Sequence, residues 1–182
     1  MIKKTCNHWL LTLILLSTAS AIQAQDALKP RPSPLEVVTM KYDDTYVKIT
    51  YGRPHKRGRM IFGDAALVPY GKVWRTGANE ATEITLTGDV KMAGEQVKAG
   101  TYTLFSIPNE DNWTIILNSE LGQWGSYNYN KDFDVMRFTV PSQTTEDVYE
   151  PFTIEFKQHD HTTSMQMMWD NTMVEIPLEF PE

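Results

Sequence analysis

The stretch GKVWRTGANEAT, Gly71 to Thr82, gathers side chains that could do chemistry. Arg75 carries a planar fork of donors that matches a carboxylate or phosphate, and Trp74 offers a flat face for stacking. Asn79 can both donate and accept hydrogen bonds, while Glu80 can accept them or serve as acid or base. Upstream, Arg53, Lys56, Arg57 and Arg59 extend the positive field. From Thr45 to Arg75 seven basic residues stand against one acid, Asp64; from Thr76 onward five face eighteen acids. Arg53, Arg59, Trp74, Arg75, Asn79 and Glu80 are therefore the candidate ligand-binding residues, suited to a small anionic or hydroxyl-rich ligand such as an acidic sugar. The same residues admit a structural reading, in which Trp74 packs, Arg75 pairs with Glu80 and Asn79 satisfies loop backbone.

Other chemistries find less support. His159 and His161, two apart, would share a face of a strand, but QHDHTT reads as a turn and no third ligand has metal-site spacing. No metal or other cofactor is expected. The chain lacks the G-x-S-x-G nucleophile elbow and the phosphate-cradling glycine motifs of nucleotide sites. A glycosidase pair built on Glu80 and an Asp depends on a carboxylate separation that sequence does not give. Among the aromatic residues, Trp113 and Trp169 lie in strand patterns and belong to the core. Trp124, Tyr127 and Tyr129 lie in a Gly/Asn-rich connection and are the surface candidates.

The elements that must position these residues are strands. Thr45 to Tyr51 alternates Val47, Ile49 and Tyr51 with Lys48 and Thr50, a period of two. Leu35 to Met40, Ala81 to Thr87, Thr101 to Ile107, Trp113 to Asn118, Val135 to Val140 and Phe152 to Lys157 read similarly, as do Ser164 to Trp169 and Val174 to Phe180. Val90 to Val97 reads as a hairpin about Ala93-Gly94, and Asp170-Asn171 as another hairpin turn. Met165, Met167 and Trp169 form one buried face. Arg53 to Lys72, broken by Pro54, Gly58, Gly63, Pro69 and Gly71, is one long irregular loop, and such loops are often functional. Leu121 to Asp132 is a second connection. Short strands at regular spacing predict an all-β fold, an antiparallel sandwich or barrel of jelly-roll type.

The start of the chain has a different character. Lys3 and Lys4 precede an apolar run, Trp9 to Leu16, and small residues at Ala19, Ala21 and Ala24. This is the pattern of a secretory signal peptide over residues 1–24, and its apolar run is shorter than the roughly 20 residues of a spanning helix. A proline-rich lead-in, residues 25–34, and a single β domain, residues 35–182, follow. The expected product is exported, periplasmic or extracellular, with no membrane span. The only cysteine, Cys6, leaves with the signal, so the mature chain has no disulfide and no thiolate chemistry. The chain has 17 basic and 23 acidic residues, a net charge of −6, which excludes general nucleic-acid binding.

Arg53-Pro54, Gly58-Arg59, Ile61-Phe62-Gly63 and the unbroken run from Val68 to Thr82 carry a resemblance to a bacterial family, the domain of unknown function 2911 family. Ala99 to Pro108, Asn112 to Asn118, Gln123 to Asn130 and Trp169 to Pro177 extend it, from about Pro32 to the C-terminus. The resemblance implies a secreted, mostly β domain and brings no established activity. Three functions fit the residues: a β-sandwich that binds a small polar or anionic ligand such as a glycan, a carbohydrate-active enzyme using Glu80 as acid or base, and a structural or partner-binding envelope protein.

Overall fold

Alternating apolar and polar side chains commit a segment to a strand with one face in a core. In β2 (Thr45–Gly52) Val47, Ile49 and Tyr51 are buried while Lys48 is exposed. The structure, a computed structural model, describes residues 30–159 and 162–181. Besides β2 it holds β1 (Leu35–Tyr42), β3 (Thr82–Leu86), β4 (Val90–Met92), β5 (Glu95–Val97), β6 (Gly100–Pro108), β7 (Asn112–Asn118), β8 (Asp134–His159) and β9 (Thr162–Glu179). One 3₁₀ turn, Lys131–Phe133, closes the connection between β7 and β8. Every strand pairing is antiparallel, in the order β1-β2-β3-β6-β7-β8-β9-β4-β5. The sheet is open, with β1 and β5 at its ends, so the fold is the expected all-β antiparallel sandwich and not a closed barrel. Among the described residues no helix is long and apolar enough to cross a membrane.

The Ala93-Gly94 hairpin forms as expected, with φ of 51° and 85° at its two loop residues, the signature of a two-residue turn with both positions left-handed. The C-terminal third departs from expectation. Val135 to Val140 and Phe152 to Lys157 are parts of the single strand β8, and Ser164 to Trp169 and all but the last residue of Val174 to Phe180 are parts of β9. Asp170-Asn171 is no hairpin turn but a bend inside β9. The register steps from Thr144↔Thr172 to Tyr149↔Asp170, so β8 carries extra residues there and Asp170 takes φ 56°. Aspartate tolerates that left-handed conformation, so a turn-forming pair serves equally at a bulge. The bend is sharp. Ser164 Oγ donates to Glu175 Oε1 at 2.5 Å, although a straight strand would separate residues eleven apart by about 36 Å.

The main core lies between the folded layers and includes Val47, Ile49, Ile84, Leu104, Trp113, Ile115, Met165, Met167 and Ile176. A second, smaller core of Ala81, Phe105 and Ile116, flanked by Val73, Ile107 and Tyr129, covers the other face of β6 and β7. Burial on both faces explains the adjacent apolar residues Leu104-Phe105 and Ile115-Ile116-Leu117. Val73 and Ala81 belong to the Gly71–Thr82 block, which therefore packs against β6 and β7. The expected leader, residues 1–24, the first part of the lead-in, and the side chains of the His159–His161 pair lie outside the described residues.

Candidate functional site

The block begins by attaching itself to β6. Trp74 and Ser106 exchange both backbone hydrogen bonds, Trp74 N to Ser106 O at 2.8 Å and Ser106 N to Trp74 O at 2.9 Å. The Trp74 indole is 8% exposed and packs among Phe62, Trp113, Phe152 and Trp169, stacking on Trp169 with ring centroids 5.9 Å apart. Its Nε1 donates to Gly77 O at 3.0 Å. Trp74 is thus a wall of the core and presents no open face for stacking.

A tightly seated turn follows. Ala78 N donates to Gly52 O at 3.0 Å, and the backbones of Gly52 and Ala78 lie so close that a Cβ on Gly52 would sit 2.0 Å from Ala78 O. Thr76 is fully buried at φ 53°, a conformation that is an outlier for a β-branched residue. It persists because its surroundings fix it: Thr76 Oγ1 donates to Ser106 Oγ at 3.0 Å, and Thr82 Oγ1 donates to Thr76 O at 2.7 Å. Asn79, at φ 62°, donates through Nδ2 to Ser33 O at 3.0 Å and accepts from Gly125 N at 3.0 Å. The polar residues of the turn are occupied in holding backbone.

That turn throws Arg75 and Glu80 to different sides. Arg75 lines a cavity of about 240 Å³ together with Arg59, Asn79, Trp74 and Trp169, and none of the lining residues is acidic. It also lines a neighbouring cavity of about 210 Å³ with Lys72, Ser126 and Tyr127, again without a carboxylate. Arg75 Nε is buried with no hydrogen-bond partner among the described residues. Burial pulls the guanidinium pKa below its usual value, opposed by the nearby Tyr127 phenol. Arg59 is held by two loop carbonyls, Nε to Lys56 O at 3.0 Å and Nη2 to His55 O at 2.6 Å, which fixes its plane. Glu80 lines a separate cavity of about 260 Å³ with Glu83, Tyr51 and Gln123. Its backbone forms a bridge to Trp124.

Of the six candidates, Arg59, Trp74, Arg75 and Asn79 converge on one cavity, and Arg53 and Glu80 do not line it. Arg53 turns to the later part of β8, bonding Phe152 O at 3.3 Å and Thr153 Oγ1 at 3.1 Å, and lies 3.5 Å from Glu36. Lys56 forms an ion pair with Asp170, tying the cationic loop to the bend of β9. The sequence places Lys72 in the cationic patch but not among the site candidates, although it lies inside the Gly71–Thr82 block. Tyr127 is, with Trp124 and Tyr129, a surface candidate for stacking, and 82% of the residue is exposed. Trp113 and Trp169 are buried and Trp124 is exposed, whereas Tyr129 is half-buried, its hydroxyl 2.7 Å from Asp134 Oδ2. No cluster of three His, Cys, Asp or Glu among the described residues could hold a metal ion.

Fold and site together define an all-β sandwich with a cationic cavity walled by a specific loop block. The chain belongs to the family described as Protein of unknown function (DUF2911), whose model matches residues 33–178. No curated protein and no solved structure matches it.

Proposed function

We propose that this is an exported binding protein that holds a small anionic, hydroxyl-rich ligand, such as an acidic sugar, in the Arg75 cavity without turning it over. The observation that carries this reading is the state of Arg75: a half-buried side chain in a cavity whose described lining residues include a second arginine and no carboxylate. A partly desolvated guanidinium facing a cavity without a carboxylate among its described lining residues favours an anion that enters it, through charge-assisted hydrogen bonds. Ser33 and Asn79 are the neutral polar residues that line the same cavity. Binding is favoured over catalysis by Glu80 beside Arg75, because the two residues line different cavities.

The test is calorimetric titration of the purified protein with uronic acids and their neutral parent sugars. The acids bind, the neutral sugars do not, and Arg75→Met abolishes the difference. Equal affinity for acid and neutral sugar would sink the reading. Export rests on the sequence pattern of residues 1–24. Fractionation of the native host with N-terminal sequencing tests it: an intact Met1 on a cytoplasmic product contradicts it.

A further inference from the structure

The two cavities that meet at Arg75 share Leu67, Val68 and Trp74 as well as Arg75 itself. Each alone, at about 240 and about 210 Å³, falls below the roughly 300 Å³ at which ligand pockets usually begin. Taken as one groove they enter that range. Arg59 stands in one lobe, Lys72 in the other, and Arg75 belongs to both. We propose that the lobes form one continuous groove for an acidic oligosaccharide of at least two units, its anionic group at Arg75 and one unit laid on Tyr127. This rests on the reading of the Arg75 cavity as an anion site and adds the length of the ligand and the residue that senses it.

Tyr127 is what points to a second sugar unit. It is the most exposed large apolar side chain among the described residues, yet its surroundings are organised. Its ring lies over Gly125, where a Cβ would come within 2.7 Å of Tyr127 Cε2, and Gly125 takes φ +71°. Only glycine combines that backbone with room for the ring. The segment carrying the ring is tied to the cationic block by Gly125 N to Asn79 O at 3.0 Å and Ser126 Oγ to Val73 O at 3.1 Å. A flat apolar face held ready at the rim of a cationic groove suits the carbon face of a sugar ring. An isolated small anion would satisfy Arg75 and leave Tyr127 uncovered.

Titration of the purified protein with galacturonic acid, its dimer and its trimer tests the proposal, with a sulfated neutral disaccharide as a second arm separating sulfate from carboxylate as the anion. The dimer binds about tenfold more tightly than the monomer, the gain of covering one aromatic face. In Tyr127→Ala the ratio of dimer to monomer affinity collapses to about one, and Tyr127→Phe restores it, because the ring face and not the hydroxyl is used. Dimer and monomer binding equally to the wild type, with Tyr127→Ala leaving the ratio unchanged, would overturn the two-lobe groove while leaving Arg75 as the anion site. If neither arm binds at any length, both readings fall together.

Discussion

Two cavities flank the Thr76–Asn79 turn, and their walls have opposite charge. Among the described lining residues, the charged ones are Arg59 and Arg75 in one cavity and Glu80 and Glu83 in the other. They share no lining residue, although Arg75 and Glu80 are five apart in sequence. A flexible loop would have let these two side chains pair at the surface for a gain of at most about 1 kcal/mol. The seated turn prevents it: Gly52 against Ala78, Thr76 held at positive φ, and Asn79 bound to Ser33 and Gly125 aim the two charges apart. The backbone strain of the block thus has a consequence, a cavity in which no carboxylate among the described lining residues meets Arg75. Catalytic-looking neighbours in sequence became members of two separate sites.

The largest effect should come from destroying the turn that separates the cavities. Gly52→Ala places a Cβ against the Ala78 carbonyl, with backbone on both sides, and is expected to lower stability by about 3 kcal/mol. Denaturant midpoints measure this; an unchanged midpoint would mean the turn is not seated on β2. Next, Arg75→Met should abolish acid-selective binding yet leave stability within about 1 kcal/mol of wild type or above it, because it removes a buried Nε that has no hydrogen-bond partner among the described residues. A loss of several kcal/mol instead would reassign Arg75 to structure. Thr82→Val removes the donor to Thr76 O and should cost about 1 kcal/mol, read from the same unfolding curves. An intact Thr82→Val would show that the left-handed Thr76 is held by something else. The smallest effect is expected across the turn. Glu80→Gln should shift acidic-sugar affinity by no more than about twofold through screened long-range charge alone. A tenfold loss would merge the two cavities functionally and revive an acid–base role for Glu80.

The sheet was legible in the sequence because period-two alternation survives wherever one face is solvated, as in TYVKITYG and FTIEFK. It misled at Asp170-Asn171, where turn-forming residues sit in a bend within a long strand and Asp170 also answers Lys56. The cationic block was visible as a composition shift, and four of its candidates do meet in one cavity. The divergence of Arg53 and Glu80 was not visible, because it depends on contacts between segments far apart in the chain. Arg53 reaches Thr153, one hundred positions away, and Glu80 is directed by the close approach of Gly52 to the following turn. Positive φ at Thr76 has no sequence signature at all, since threonine is among the residues least expected there.

The most direct measurement of the central claim is the affinity of the purified protein for a uronic acid as a function of pH, in wild type and Arg75→Met. Burial lowers the Arg75 pKa, but a guanidinium stays charged across the working range. Wild-type affinity should therefore be level from about pH 5 to 9 and fall only as the ligand carboxylate is protonated, below about pH 4. Arg75→Met should lose binding at every pH. Wild-type binding that persists undiminished to the methyl ester of the sugar, or that survives Arg75→Met, would contradict the account.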